Sequence, residues 1–276
     1  MQILFVLNQA AHTLTPFSDS PHLDAELLLC HCLHQSREYL FSHSDKDLSE
    51  SQCKNFETLI ERRKKGEPVA YMTGQKYFWD LKLTVTPDVL IPRPETEPLV
   101  EWILNNVSSQ ASIKVADLGT GSGAIALSLA IERPTWKIFA TDFCEKAIQV
   151  AKENAKKNHI STVVFYQGVW CEALPEKNFD ILVSNPPYLA PDDTYLPSLI
   201  FEPQKALISA NNGLADIKKI IQTALPYLKS QGYLILEHAF NQGPAVQALM
   251  QMEKYVNIAS YSDLNQHVRF TIGQKT

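Results

Sequence analysis

The tetrapeptide Asn185-Pro186-Pro187-Tyr188 has the residue types to hold a planar nitrogen group such as a carboxamide or an exocyclic amine. It follows the apolar run Phe179–Ser184, which predicts a buried strand, and open α/β sheets bind ligands at the carboxyl ends of their strands. Two consecutive prolines fix two φ angles and remove two backbone donors. The Asn oxygen and a carbonyl can each accept one hydrogen, and the ring can stack on the flat group. Such residues also form ordinary turns, so the tetrapeptide alone leaves both interpretations open.

A glycine-rich loop follows an earlier strand, in the order Asp117-Leu118-Gly119-Thr120-Gly121-Ser122-Gly123. Glycines allow a tight turn and a close approach of a ligand to the backbone, and the amides of the next helix then face that ligand. Gly119, Gly121 and Ala124 also fit a dinucleotide fingerprint. Asp117 favours a different ligand, because a carboxylate would repel a pyrophosphate but suits the ammonium of a methionine moiety. The loop therefore predicts S-adenosylmethionine (SAM) as the cofactor.

Two further residues complete the predicted cofactor site. Asp142 ends the second strand, close to the spacing at which an acid receives ribose hydroxyls. Trp170 follows the third strand and either packs beside the adenine or is a core tryptophan. The candidate cofactor-binding residues are Asp117, Gly119, Thr120, Gly121, Ser122, Gly123, Asp142, Trp170 and Asn185.

The elements that must position these residues alternate between strands and helices from Ile113 onward. The predicted strands are Ile113–Leu118, Trp136–Thr141, Val163–Tyr166, Phe179–Val183, Tyr233–Leu236, Val256–Ser260 and Val268–Ile272. The predicted helices between them are Ala124–Ile131, Glu145–Asn158 and Leu214–Leu228. This order predicts an α/β fold with a seven-stranded, mostly parallel, Rossmann-like sheet, whose last two strands pair antiparallel at the edge.

The sequence before the sheet predicts a helical domain and a linker. Residues 1–74 read as helical, with one helix over Asp24–Leu33 and another from Ser49 to Lys65, where Gly66 stops it. This part is either a partner-recognition domain or a packing appendage. Residues 75–91 predict a β-hairpin linker, with alternation over Phe78–Val85 and a turn at Pro87-Asp88. The catalytic domain is expected to span residues 92–276. The Pro-rich segment 91–98 crosses its boundary with the linker and leads into a helix over Leu99–Asn105.

Composition excludes several functions. The net charge of −5 argues against direct nucleic-acid binding, which needs a basic face, and no apolar run is long enough for a membrane span. Five scattered cysteines suggest no disulfide framework, which predicts a reducing, cytoplasmic setting, and the amino terminus does not resemble a signal peptide. The cluster Cys30-His31-Cys32-Leu33-His34 lacks a second cluster at zinc-like spacing, so no metal is expected.

The ordered set of glycine loop, Asp142 and Asn-Pro-Pro-Tyr turn resembles the HemK-type release factor glutamine methyltransferases of bacteria. The resemblance covers nearly the whole chain. It rests on the following segments: Leu90–Glu97 (LIPRPETE), Asp117–Leu127 (DLGTGSGAIAL), Ser184–Tyr188, Phe201-Glu202-Pro203 and Leu234–His238. The Asn-Pro-Pro-Tyr turn alone occurs in many amino methyltransferases, including adenine-N6 DNA enzymes. The combination of Leu90–Glu97, Phe201-Glu202-Pro203 and a helical front domain is much more specific to this family.

The resemblance implies a SAM-dependent protein-(glutamine-N5) methyltransferase, whose protein substrate is a class 1 peptide chain release factor. The methyl group would go to the side-chain amide nitrogen of the glutamine in the Gly-Gly-Gln (GGQ) motif. Asn185 and the Pro186 carbonyl would accept the two amide hydrogens as catalytic groups, and Pro187 and Tyr188 would form the walls of the amide slot. An adenine-N6 nucleic-acid methyltransferase and a non-enzymatic SAM-fold binding module are the alternatives.

Other residues of the resemblance have less defined roles. Phe201 and Glu202 are expected to shape the entrance of the slot. Glu237 and His238 end the fifth strand, and they either lie near the site or form a structural polar pair.

Overall fold

The computed structural model describes residues 1–107 and 112–276 and divides into two compact units, Met1–Gln75 and Lys76–Thr276. The first unit is helical and consists of α1 (Ile3–Leu14), α2 (Pro21–Leu33), α3 (Arg37–Ser42), α4 (Glu50–Lys64) and α5 (Val69–Thr73). In the described part of the chain, no helix combines the length and the apolar character needed to cross a bilayer.

The predicted start of α4 at Ser49 is confirmed. The Ser49 hydroxyl accepts a hydrogen bond from the Gln52 backbone N–H, and the Gln52 side chain accepts one from the Ser49 N–H, so two free helix-end donors are satisfied. Farther along α4, Arg63 pairs at 2.7 Å with Asp24 of α2, a carboxylate that is only 6% exposed. Apolar side chains of α1, α2 and α4 pack into the core of this unit.

The second unit is built on a seven-stranded sheet preceded by a two-stranded hairpin. The hairpin strands are β1 (Gln75–Phe78) and β2 (Leu81–Thr84). The sheet strands are β3 (Lys114–Leu118), β4 (Lys137–Asp142), β5 (Val163–Gln167), β6 (Phe179–Ser184), β7 (Leu228–Glu237), β8 (Val256–Ser262) and β9 (Val268–Gln274). Their spatial order is β5-β4-β3-β6-β7-β9-β8. The pairs from β5 to β7 are parallel, and β9 is antiparallel to both β7 and β8, as the sequence predicted.

Helices cover the sheet and the predicted βαβ pattern is confirmed. They are α6 (Glu97–Asn106), α7 (Ala124–Glu132), α8 (Glu145–Lys157), the helical turn α9 (Ala210–Gly213), α10 (Ala215–Ala224) and α11 (Gly243–Met252). The predicted helix over Leu214–Leu228 is too long, because Pro226 lies in a 3₁₀ turn that follows α10 and β7 already begins at Leu228. The sequence did not predict α11, whose opening Gly243-Pro244 resembles a turn although Pro is well tolerated in the first turn of a helix.

The hairpin is confirmed, but its turn lies at Trp79-Asp80, inside the segment predicted to alternate. Trp79 has a φ of 53°, which a bulky residue adopts only when its surroundings hold it. Its backbone N–H donates to Glu97 and its indole N–H to Glu132, at 3.0 and 2.8 Å. Contacts with α6 and α7 therefore fix a turn that local sequence does not reveal.

The strand order places the two functional segments side by side. The chain goes from β3 to one side of the sheet and returns to β6 on the other side, so β3 and β6 are neighbours at the point where the strand order reverses. Ligands of open α/β sheets bind outside the carboxyl ends of such strands. A hydrogen bond of 2.6 Å from the Ser184 hydroxyl to the Leu118 carbonyl joins these two ends.

Candidate active site

A cavity of about 720 Å³ opens at the carboxyl ends of β3, β4 and β6. The sequence-predicted residues that line it are Gly119, Thr120, Gly121, Ser122, Asp142, Trp170, Asn185 and Pro187. Asp117, Gly123, Pro186 and Tyr188 are not among the lining residues. The structure thus brings the glycine loop, the acid of β4 and the Asn-Pro-Pro-Tyr turn to one cavity.

The glycine loop is held tightly against the floor of the cavity. The N–H groups of Gly119 and Thr120 both donate to the Thr141 carbonyl at 2.8 Å. Gly119 has a φ of 77°, and a Cβ atom there would lie 2.9 Å from the Trp170 ring. Only glycine satisfies both conditions, since other residues are strained at this φ and would displace the indole.

Asp117 lies beneath the loop. One of its carboxylate oxygens accepts hydrogen bonds from the Thr120 hydroxyl at 2.6 Å and the Ala126 N–H at 3.2 Å, and the other oxygen has no partner within the described residues. Burial raises the pKa of this carboxyl to about 7, although these two hydrogen bonds oppose the rise. Its hydrogen bonds in this structure hold the glycine loop in shape. Its direct contact with the ammonium group of SAM stays a prediction.

Asp142 lines the cavity and is anchored by backbone donors. Its two oxygens accept from the N–H groups of Gly121 and Cys144, each at 2.9 Å. Burial raises the pKa of this carboxyl, and the two N–H donors oppose the rise. Each carboxylate oxygen keeps a further lone pair, so Asp142 fits the ribose hydroxyls of a nucleoside.

Aromatic rings flank the same region. Trp170, with a φ of 47°, lines the cavity next to Gly119. Phe143 also lines it, is 45% exposed, and has the Lys205 ammonium 5.8 Å from its ring centroid. Both rings present flat apolar surfaces that suit a purine. Sequence reasoning missed Phe143, and its signal was an aromatic residue directly after a strand-ending acid.

Asn185 forms the wall of the cavity at the carboxyl end of β6. Its side-chain N–H₂ donates to the Thr96 hydroxyl at 3.2 Å. Its carbonyl oxygen makes no hydrogen bond within the described residues and is therefore free to accept one from a ligand. The Tyr188 hydroxyl donates to the Glu237 carboxylate at 3.3 Å. The roles of Pro186 and Tyr188 toward a substrate stay predictions.

An ion pair with a buried carboxylate connects two of the segments quoted for the family resemblance. The Glu202 carboxylate is only 5% exposed, pairs with the Arg93 guanidinium and accepts from the Ile91 N–H at 3.1 Å. Arg93 and Pro203 both line the cavity. Glu202 therefore fixes the Pro-rich segment before α6 onto the loop that follows β6.

Glu237 and His238 have separate roles at the end of β7. Burial raises the pKa of Glu237 to about 7, and its Oε2 has no partner within the described residues. His238 bonds the Thr271 hydroxyl at 2.7 Å and the Ala239 carbonyl at 2.9 Å, so both of its ring nitrogens have partners within the protein. Across the described ranges, no group of three or more His, Cys, Asp or Glu side chains is arranged to hold a metal.

Known proteins share the fold of this chain. Residues 109–275 match the family model for a methyltransferase domain, and residues 6–74 match that for a PrmC N-terminal domain. Among solved structures, a methyltransferase from Pyrococcus furiosus superposes with a TM-score of 0.54 at 18% identity, covering 71% of this chain and 89% of that one. The Thermus thermophilus 16S rRNA N2 G1207 methyltransferase, solved with SAM and guanosine, gives 0.55 at 17% identity, covering 73% and 50%. The fold is that of a SAM-dependent methyltransferase.

Relatives that are similar over nearly their whole length identify the family within the SAM-dependent methyltransferases. A release factor glutamine methyltransferase from Coxiella burnetii is 49% identical over 251 residues, 91% of each chain. Those from Aliivibrio fischeri and Escherichia coli are 44% and 40% identical, each covering 93% of this chain and 91% and 93% of their own. The chain belongs to the release factor glutamine methyltransferase family.

Proposed function

We propose that this protein transfers the methyl group of SAM to the side-chain amide nitrogen (N5) of the GGQ glutamine in class 1 peptide chain release factors. The observation that carries the proposal is the placement of Asn185. Its amide oxygen is free at the wall of the cavity that also contains the glycine loop and Asp142. A carboxamide acceptor beside a nucleoside-sized pocket is what methylation of an amide requires.

The cavity fits the cofactor on the donors that line it. Asp142 is anchored so that its remaining lone pairs can receive ribose hydroxyls, and Trp170 and Phe143 offer flat surfaces for the adenine. When bound, SAM supplies a methyl group activated by a sulfonium. The residues of this chain hold and orient the reactants.

The chemical difficulty lies in the substrate, because resonance ties up the lone pair of an amide nitrogen. The Asn185 oxygen and the Pro186 carbonyl would each accept one amide hydrogen, which directs the lone pair toward the methyl group. As the nitrogen–carbon bond forms and the methyl–sulfur bond of the sulfonium breaks to leave a neutral thioether, the nitrogen would become cationic, and the same two acceptors would stabilise its charge. Its protons then become acidic, so a strong general base is not required.

The helical unit is proposed to recognise the release factor. Support comes from its separate core and from its match to a PrmC N-terminal domain over residues 6–74. The setting is proposed to be the cytoplasm, where release factors act and where free cysteines such as the five of this chain persist. The net charge of −5 gives no support to the alternative of adenine-N6 methylation on nucleic acid, which needs a basic face.

Labelled SAM incubated with a class 1 release factor, followed by peptide mapping, tests the proposal. We expect label on the GGQ glutamine and none on a release factor in which that glutamine is replaced by glutamate, since the amide nitrogen is then missing. A DNA duplex serves as the matched acceptor for the alternative. Label on adenine, or on another residue of the release factor, would overturn the proposal.

A further inference from the structure

We propose that Thr96 and Glu237 are positioning residues that set the orientation of the Asn185 amide, through a buried hydrogen-bonded relay from the carboxyl end of β7 to the carboxyl end of β6. This inference rests on the proposed function and adds two residues to its machinery. It concerns how the free oxygen of Asn185, and not its N–H₂ group, comes to face the substrate.

The amide of an Asn side chain has an oxygen that accepts hydrogen bonds and an N–H₂ group that donates them. Only the orientation with the oxygen toward the substrate serves the reaction. With the oxygen toward the cavity, Asn185 accepts a hydrogen from the substrate amide. After a rotation of the amide by half a turn, its N–H₂ would confront the N–H₂ of the substrate. The active orientation therefore needs a group behind Asn185 that accepts from it.

Thr96 is that group. It lies in the 3₁₀ turn Pro94–Thr96, is only 3% exposed, and its hydroxyl oxygen accepts from the Asn185 N–H₂ at 3.2 Å. A hydroxyl also carries one hydrogen, which could instead be donated to the Asn185 oxygen and favour the rotated amide. The hydroxyl specifies one orientation only if its hydrogen is engaged elsewhere.

Glu237 provides the acceptor for that hydrogen. It is 2% exposed, and interaction with the Thr96 side chain lowers its pKa, against the larger rise that burial causes. Oε1 of Glu237 accepts from the Tyr188 hydroxyl, whereas Oε2 has no assigned partner in the described part of the chain. The unassigned oxygen and the Thr96 hydrogen complement each other, since a buried acceptor without a donor costs free energy.

The charge of Glu237 decides whether Thr96 donates its hydrogen to Glu237 or to Asn185. An ionised carboxylate only accepts, so it takes the Thr96 hydrogen and leaves the Thr96 oxygen to Asn185. A protonated carboxyl can donate to Thr96, which frees the Thr96 hydrogen for the Asn185 oxygen. Because burial raises the pKa of Glu237 to about 7, this change falls in an accessible pH range.

Several charged groups surround Glu237 on the packed elements. The positive charge of Arg269 in β9 and the hydrogen bond from the Tyr188 hydroxyl lower the pKa of Glu237. The negative charge of Glu95 in the 3₁₀ turn raises it. His238 directly follows β7, and burial lowers its pKa. A variant of Glu237 itself is therefore needed to separate its titration from that of its neighbours.

The first test replaces Thr96 by Val, which keeps the shape and removes the hydroxyl. We expect kcat for methylation of the release factor to fall about 10- to 100-fold, the effect of a misdirected reacting group, with Kd for SAM nearly unchanged. Thr96→Ser should restore most of the rate because it restores the hydroxyl. Ser128→Ala is the matched control, since it removes another buried hydroxyl from α7 and should leave kcat unchanged.

The second test is the pH profile of kcat in Glu237→Gln. In the wild type we expect kcat to fall below about pH 7, as Glu237 becomes protonated. The variant should be slower at pH 8 and show no such fall, because its side chain does not titrate. SAM binding measured by calorimetry verifies that each variant is folded.

The inference is overturned if Thr96→Val keeps the wild-type kcat, if Thr96→Ser is as slow as Thr96→Val, or if Glu237→Gln keeps the pH dependence of the wild type. Failure of the proposed function gives a different result, because the wild-type protein would then not methylate the glutamine at all.

Discussion

Replacing Asp117 by Asn is expected to stabilise the SAM-free protein much more at pH 8 than at pH 5. Asp117 is 1% exposed, and the pKa of its carboxyl is raised by burial from an ordinary value of 3.8 to about 7. A carboxyl with a raised pKa gives its full stabilisation below the unfolded pKa and loses it as pH rises through the folded pKa. The amide of Asn has nearly the same shape and is neutral at every pH.

The two pKa values determine the size of the effect. Compared with a neutral side chain, the burial of Asp117 lowers the free energy of unfolding by about 1.5 kcal/mol at pH 5 and by about 4 kcal/mol at pH 8. The difference between the two pH values is about 2.5 kcal/mol, which corresponds to about 5–10 °C in Tm for a domain of this size.

Thermal unfolding of the SAM-free protein at both pH values measures this effect. The gain in Tm from Asp117→Asn should be larger at pH 8 by that amount. Asp192→Asn is the matched control, because it makes the same substitution at an exposed position and should change Tm equally at both pH values. A gain from Asp117→Asn that is equal at pH 5 and pH 8, or a loss at pH 8, would refute the reasoning.

Three further perturbations test the cofactor site and the helical unit. Asp142→Ala should weaken SAM binding by about 1–3 kcal/mol in calorimetry, which is the cost of hydrogen bonds lost from a charged group. The wild type should not bind NAD. Tight binding of NAD without binding of SAM would contradict the assignment of SAM as the cofactor. Gly119→Ala should lower both Tm and SAM affinity, because the new methyl group meets the Trp170 ring at 2.9 Å, and an unchanged SAM affinity would show that the loop tolerates it. Deletion of residues 1–74 should reduce turnover on an intact release factor much more than on a short GGQ peptide, and equal losses would show that the segment only stabilises the fold.

The parts of the fold that the sequence predicted are those fixed by local patterns. The apolar run Phe179–Ser184 could only be a buried strand, so the position of Asn185 at its carboxyl end followed. The glycine loop and Asp142 were located in the same way, because each directly follows or ends such a strand.

Other features depend on tertiary contacts that no local pattern records. The hairpin turn at Trp79 is held by side chains of α6 and α7. The hydroxyl of Tyr188 contacts Glu237, a residue far away in sequence, and its expected place in the wall of the substrate slot stays a prediction. The role proposed for Thr96 depends on the same neighbourhood, and its residue type gave no signal.

The most direct test of the central claim is the rate of methyl transfer by Asn185→Ala, measured with labelled SAM and an intact class 1 release factor. We expect a loss of about 10²- to 10³-fold, the usual effect of removing one preorganised polar partner, while most SAM affinity is retained. Asn185→Asp should lie between this variant and the wild type, because its oxygen still accepts a hydrogen bond but its charge must be desolvated. Methylation of the release factor by Asn185→Ala at the wild-type rate would contradict the account.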